Sequence, residues 1–114
     1  MLSIIILGQE YKIQIVNEIK DYENCDGLCK VVDKIIYIKE NNDSDYFNSV
    51  LLHEIGHAVF WESSIGQTSV SHDLEEIIVD QIAKALVKNF NIQPKGDIVC
   101  QKNKKKSLTK KIKQ

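Results

Sequence analysis

The most informative segment of this 114-residue chain reads Leu51-Leu52-His53-Glu54-Ile55-Gly56-His57-Ala58-Val59-Phe60. It contains the pattern H-E-x-x-H within an apolar run of helical character. Residues four positions apart lie on one face of a helix, so the imidazoles of His53 and His57 can converge on one tetrahedral metal ion. Glu54 lies between them, close enough to act on a water at that ion. The segment therefore predicts a metal-binding helix that carries its own general base.

This helix is predicted to run from about Asp45 to Glu62. Apolar residues recur along it at helical spacing, namely Phe47, Val50, Leu51, Ile55, Ala58 and Trp61. The preceding polar run, residues 40–45, supplies candidate N-caps and acidic first-turn residues.

A second helix is predicted from about Leu74 to Phe90, with Asp73 as its N-cap. Its apolar stripe is assigned to the core and consists of Leu74, Ile78, Ile82, Ala85 and Leu86. Pro94 and Gly96 follow the helix and end it.

The first forty residues carry strand patterns. Tyr11, Ile13 and Ile15 alternate with polar residues, and Gly8 interrupts the run 4–16, which predicts a bent strand or a hairpin. Residues 30–38 are rich in β-branched and aromatic side chains and predict one or two further strands.

A zinc ion needs a third protein ligand, and the second helix offers candidates. Glu76 is followed four residues later by Asp80 on the same face, so Glu76 is expected to bind the ion while Asp80 accepts a hydrogen bond from the far nitrogen of a ligand histidine. Glu75 and His72 remain open as alternative third ligands. His72 is also a candidate donor to the transition state.

Together these motifs resemble those of the glutamate-ligand zincins, or gluzincins. Residues 4–91 look like the small phage- and prophage-encoded zincin-like metallopeptidases of the ImmA/IrrE type. The matching pieces are Ile6-Leu7-Gly8 with Tyr11, Leu51 to Ala58, and Glu76 to Ala83. The resemblance implies that His53, His57 and Glu76 bind zinc and that Glu54 is the general base of a protease.

The fold expected from these patterns is an α+β domain over residues 1–98, followed by a lysine-rich, flexible tail over residues 99–114. A small, mostly antiparallel sheet of three or four strands is expected to pack on two helices that carry a zincin-type metal site. Residues 35–38 are expected to form the sheet edge beside that site, where an extended substrate could add as a strand.

The expected function is zinc-dependent hydrolysis of peptide bonds in a protein or peptide substrate. The alternative is a zincin-fold binding or regulatory protein that contacts a host or repressor protein and keeps a purely structural metal. A structural site needs no general base, so the presence of Glu54 favours the enzyme.

Charged residues are segregated along the chain. All sixteen acidic residues lie at or before Asp97 and only eight lysines lie among residues 1–100, which gives that part a formal charge of −8. The other seven lysines lie in the last fourteen residues, and the chain has no arginine. Since arginine supplies the bidentate fork of specific phosphate and base recognition, specific nucleic-acid binding is not expected.

The cellular location is expected to be the cytoplasm. The apolar runs are far too short to cross a bilayer, and the N-terminus lacks the basic region of a signal peptide. The three cysteines, Cys25, Cys29 and Cys100, fit no disulfide framework and are expected to be reduced.

Overall fold

The computed structural model describes residues 2–20, 22, 24–63 and 70–91. Within these ranges the chain forms an α+β domain with four strands and two helices, which confirms the predicted fold class. The elements are β1 (Leu2–Ile6), β2 (Gln9–Val16), β3 (Gly27–Lys30), β4 (Ile35–Lys39), α1 (Ser44–Glu62) and α2 (His72–Asn89). The predicted tail, residues 99–114, and Cys100 lie outside the described residues.

A hairpin joins β1 and β2, as predicted for residues 4–16. Leu7 and Gly8 form its two-residue turn with φ values of 48° and 85°. Positive φ at both positions is the mark of a type I′ turn, whose twist matches that of the flanking strands, and glycine adopts it without steric cost.

The sheet has the order β1-β2-β4-β3. The pairs β1–β2 and β3–β4 are antiparallel, whereas β2 and β4 run parallel. The sheet is thus mostly antiparallel, as expected. The expectation that residues 35–38 form its edge is wrong, because β3 pairs with the far side of β4 and is itself the edge strand.

Helix α1 covers one face of this sheet. Its N-cap is Asp43, whose carboxylate accepts from the backbone N–H groups of Asp45 and Tyr46 at 3.1 and 3.2 Å. Alternate strand residues face the helix and are buried with its inner side chains. These core residues are Ile6, Tyr11, Ile13, Ile36, Ile38, Phe47, Leu51 and Ala58.

The last turn of α1 is fixed to the sheet by polar contacts. The hydroxyl of Tyr11 donates to Oε2 of Glu62 at 2.6 Å, and Nζ of Lys34 reaches the same oxygen at 2.5 Å. The ammonium of Lys34 also lies 5.4 Å from the centroid of the Tyr11 ring. These contacts hold the C-terminal end of α1 in one position.

Helix α2 packs mainly against α1. Ser71 is its N-cap and accepts from the N–H of Leu74 at 3.1 Å, so the prediction of Asp73 as the cap was wrong by two residues. The predicted buried stripe was also wrong. Val79 and Ala83 are the buried side chains, whereas three members of that stripe are exposed: Leu74, Ile82 and Ala85.

Candidate metal centre

Three side chains from α1 and α2 converge on one point. Nε2 of His53 and Nε2 of His57 lie 3.2 Å apart. The carboxylate of Glu76 faces both of them, with Oε1 at 3.1 Å from His53 Nε2 and Oε2 at 3.1 Å from His57 Nε2. These are the three residues predicted as ligands from the sequence, and together they could hold a metal ion.

The spacing of these atoms suits a small tetrahedral ion. Ligand atoms at about 2.0–2.1 Å from zinc in tetrahedral geometry are separated from one another by about 3.3–3.4 Å. The Nε2–Nε2 distance of 3.2 Å and the two 3.1 Å contacts, one to each oxygen of Glu76, fall within a few tenths of an ångström of that spacing, and one ligand atom from each residue can be chosen so that all three lie within 4.8 Å of one another. Two imidazoles and one carboxylate also form a donor set used by catalytic zinc sites, which keep a fourth position open.

Both histidines have an acidic partner on the far side of the ring. Glu75 Oε2 lies 2.6 Å from Nδ1 of His57, and Asp80 Oδ1 lies 3.6 Å from Nδ1 of His53. An ionised carboxylate only accepts, so Nδ1 of His57 can donate to Glu75, and in that tautomer Nε2 would be the atom that binds an ion.

Glu75 therefore takes, on His57, the orienting position that was predicted for Asp80. Its carboxylate lies against Nδ1 of His57, away from the point where the Nε2 atoms meet, and this geometry favours Glu76 as the third ligand. Asp80 is held as well by Lys84 at 2.9 Å. The Lys84 hydrogen bond, its charge and the neighbouring His53 lower the pKa of Asp80.

Glu54 is the buried acidic residue of α1, with 8% of its surface exposed. Burial raises the pKa of its carboxyl group and so does the charge of Glu76, while the nearby His57 and His53 act in the opposite direction. Glu54 lines the same cleft as His53 and His57. A carboxylate is thereby held beside the candidate ligands in a largely water-excluded place.

Two glycines allow the close packing that forms the site. A Cβ atom on Gly27 would lie 2.6 Å from Val50 Cγ1 and 3.0 Å from Oε2 of Glu54. A Cβ on Gly56 would lie 2.8 Å from Cγ1 of Val79, one turn beyond Glu76 on α2. Gly27 thus lets β3 approach the general-base candidate, and Gly56 lets α2 approach α1 closely enough for Glu76 to reach the histidines.

The cleft above these residues has a volume of about 570 Å³, which is within the range of small-ligand and peptide side-chain sites. One wall comes from the edge strand β3 and the residue that follows it, including Gly27, Cys29 and Val31. His72, the first residue of α2, is 78% exposed in its side chain and lies 3.8 Å from Oε2 of Glu76 at the rim. Its position suits a group that meets a bound molecule better than a ligand of the ion.

The two cysteines of the described region are not part of the group that could hold a metal ion, although Cys29 lines the same cleft. Cys25 and Cys29 are both free thiols, and Cys25 Sγ donates to the carbonyl of Gly27 at 2.8 Å. Burial, followed by the charges of Glu54 and other acidic neighbours, raises the pKa of the Cys29 thiol to about 12. The thiol is therefore a weak nucleophile at neutral pH.

Neither α1 nor α2 combines the length and apolar character that a membrane span requires. Comparisons of the chain with known protein families, curated proteins and solved structures find no match.

Proposed function

We propose that the protein is a zinc-dependent metallopeptidase of the gluzincin type, with His53, His57 and Glu76 as zinc ligands and Glu54 as general base. The observation that carries the proposal is the convergence of two Nε2 atoms and one carboxylate at 3.1–3.2 Å on one side of an open cleft. When bound, zinc lowers the pKa of a coordinated water toward neutrality and polarises a carbonyl group.

The chain's own residues supply the proton transfers. The Glu54 carboxylate accepts a proton from the attacking water and passes it to the amine that leaves. Glu75 orients the ring of His57 through its 2.6 Å contact, and Asp80 lies 3.6 Å from Nδ1 of His53, where a small approach would complete the same interaction. His72 at the rim is placed to contact a substrate oxygen.

A peptide is the substrate class that the cleft favours. Edge strand β3 lines the cleft, and on the side away from β4 it has no strand partner among the described residues. An extended chain can pair with such an edge through backbone hydrogen bonds, which would bring a peptide bond across the cleft. We also propose a cytoplasmic location, since the described cysteines are free thiols. Because the chain has no arginine, we propose no specific nucleic-acid target for it.

A metal used only for structure is less consistent with this arrangement. Structural zinc sites are usually closed by four protein ligands. The three candidate ligands instead line an open cleft with a buried carboxylate, Glu54, beside them. This combination favours catalysis over a purely binding or regulatory module.

The test measures zinc content and hydrolysis of a mixed protein substrate in parallel. Wild-type protein should bind one zinc per chain and hydrolyse the substrate, and His53→Ala and Glu76→Ala should lose both properties. Glu54→Gln should keep zinc but lose activity by about 10²–10⁴-fold. Glu10→Gln, an exposed carboxylate change on β2, is the matched control and should alter neither.

The outcomes separate the alternatives. Zinc bound by every form without hydrolysis by any of them would favour the binding module. Wild-type protein that binds no zinc would overturn the assignment of the metal centre.

A further inference from the structure

The cleft has an apolar wall that the metal centre does not use. Trp61 lies four residues after His57 and eight after His53, on the same face of α1, and it lines the cleft. Leu28 on β3 and Val31 just after it line the same cleft. We propose that Trp61, Leu28 and Val31 form an apolar subsite that binds a large apolar side chain of a peptide substrate next to the bond that is cut, an assignment that depends on the proposed peptidase function.

Trp61 is the apolar residue of α1 that lines the cleft. It is 39% exposed, although tryptophan is the side chain with the most apolar area to bury. Partly exposed tryptophans in concave sites are the residues that most often dominate binding energy, because a partner completes their burial. The exposed face of Trp61 is therefore better explained as a contact surface than as incomplete core packing.

The position of Trp61 is fixed before any substrate arrives. The next residue, Glu62, accepts the hydrogen bonds from Tyr11 and Lys34 that hold the last turn of α1 on the sheet. A binding side chain on a rigid helix loses little conformational freedom when a ligand binds, so more of the contact energy appears as affinity.

The charges of the cleft favour an apolar occupant over an acidic one. Glu54, Glu75 and Glu76 also line the cleft and would repel an acidic side chain. Glu75 and Glu76 contact the histidines, whereas Trp61, Leu28 and Val31 give the cleft its apolar lining. A leucine or phenylalanine side chain can pack against this apolar wall without burying an unpaired polar group.

The first experiment compares peptides that are identical except for the residue next to the cleaved bond: Leu, Ala, Asp or Arg. The zinc-loaded protein should hydrolyse the Leu peptide with a kcat/KM at least about tenfold above that of the Ala peptide. Trp61→Ala should remove most of this preference, and Trp61→Phe should retain it. Val59→Ala is the matched control, since Val59 lies on the same helix, is 37% exposed and is not part of the cleft wall.

Either of two results would overturn the subsite. One is a Leu preference that Trp61→Ala leaves intact, and the other is a preference for Asp or Arg over Leu in the wild-type protein. If the protein hydrolyses the peptides but gives either of these results, the proposed peptidase function is still supported and only the subsite is refuted.

A second readout does not need catalysis. Trp61 is the single tryptophan of the chain, so intrinsic tryptophan fluorescence reports on this wall alone. In zinc-loaded Glu54→Gln protein, the Leu peptide should shift the Trp61 emission to shorter wavelength, and the Asp peptide should not at the same concentration. An emission change without hydrolysis by wild-type protein would support the subsite and count against the peptidase, whereas unchanged emission with the Leu peptide would refute the subsite.

Discussion

Replacing Gly27 by alanine should damage catalysis while leaving the zinc ligands untouched. The new Cβ would lie 2.6 Å from Cγ1 of Val50 and 3.0 Å from both Cγ and Oε2 of Glu54. Ordinary carbon–carbon contacts are about 3.5–4.0 Å, so the closest approach is short by about 1 Å. Strand β3 or the side chains of α1 must move to relieve the overlap.

The size of the effect follows from these distances. Overpacking of this kind costs about 1–3 kcal/mol, and replacing a strand glycine recovers about 0.5–1 kcal/mol. We expect Gly27→Ala to lower the free energy of unfolding by about 1–2 kcal/mol. The contacts with Glu54 are short by about 0.5 Å, and a displacement of that size should lower kcat by about tenfold, because general-base catalysis depends on the position of this carboxylate.

The assay measures three quantities on zinc-loaded protein: urea unfolding, kcat with a peptide substrate, and zinc affinity by competition with a chelator. Zinc affinity should stay unchanged, since the three atoms nearest to the added Cβ belong to Val50 and Glu54 and not to a proposed zinc ligand. Adding Val50→Ala removes the closest contact and should return part of the lost stability. Unchanged kcat in Gly27→Ala, or loss of zinc together with activity, would refute this account of Gly27.

Three further predictions concern the neighbouring contacts. Gly56→Ala should push α2 away from α1 and weaken zinc binding, because the new Cβ at position 56 would lie 2.8 Å from the stiff side chain of Val79. Adding Val79→Ala should restore normal zinc affinity, measured by competition with a chelator. Glu75→Ala should weaken zinc binding by about 10–100-fold through loss of the contact to Nδ1 of His57, and an unchanged affinity in the same assay would contradict the orienting role. Hydrogen bonds from Lys34 and Tyr11 lower the pKa of Glu62 below its ordinary value of 4.5. The contribution of Glu62 to the free energy of unfolding is therefore complete above pH 4.5 and is lost as the pH falls through the lower pKa of the folded state. Glu62→Gln should flatten the acidic part of the pH dependence of urea unfolding.

The local patterns of the sequence were sufficient for much of the fold. The helix containing His53 and His57 was predicted within one residue of its bounds, since its cap, its apolar spacing and its length all agree. The hairpin at Gly8 follows from alternation on both sides of a residue that tolerates positive φ. Both features depend on residues near one another in the chain.

The predictions that were wrong concern which helices and strands pack against one another in the folded chain. Helix α2 has apolar residues around much of its circumference, and its contact with α1 selects Val79 and Ala83 over the predicted stripe. The parallel pairing of β2 with β4 places β3 at the edge, which no local pattern indicates.

The sequence did not predict the orienting role of Glu75 or the position of Trp61 in the cleft, because both follow from tertiary contacts. Gly27 and Gly56 offered the only local signal of close packing near the site. Gly56 lies inside H-E-x-x-H on a helix, where glycine is otherwise unfavourable.

Zinc K-edge X-ray absorption on the loaded protein tests the central claim most directly, because it reports which atoms bind the ion. We expect a shell of nitrogen and oxygen atoms at about 2.0–2.2 Å, with the outer-shell scattering of two imidazoles, as His53, His57 and Glu76 would give. The imidazole contribution should fall in His53→Ala. A sulfur shell at about 2.3 Å, as cysteine thiolates would produce, or wild-type protein that takes up no zinc, would contradict the account.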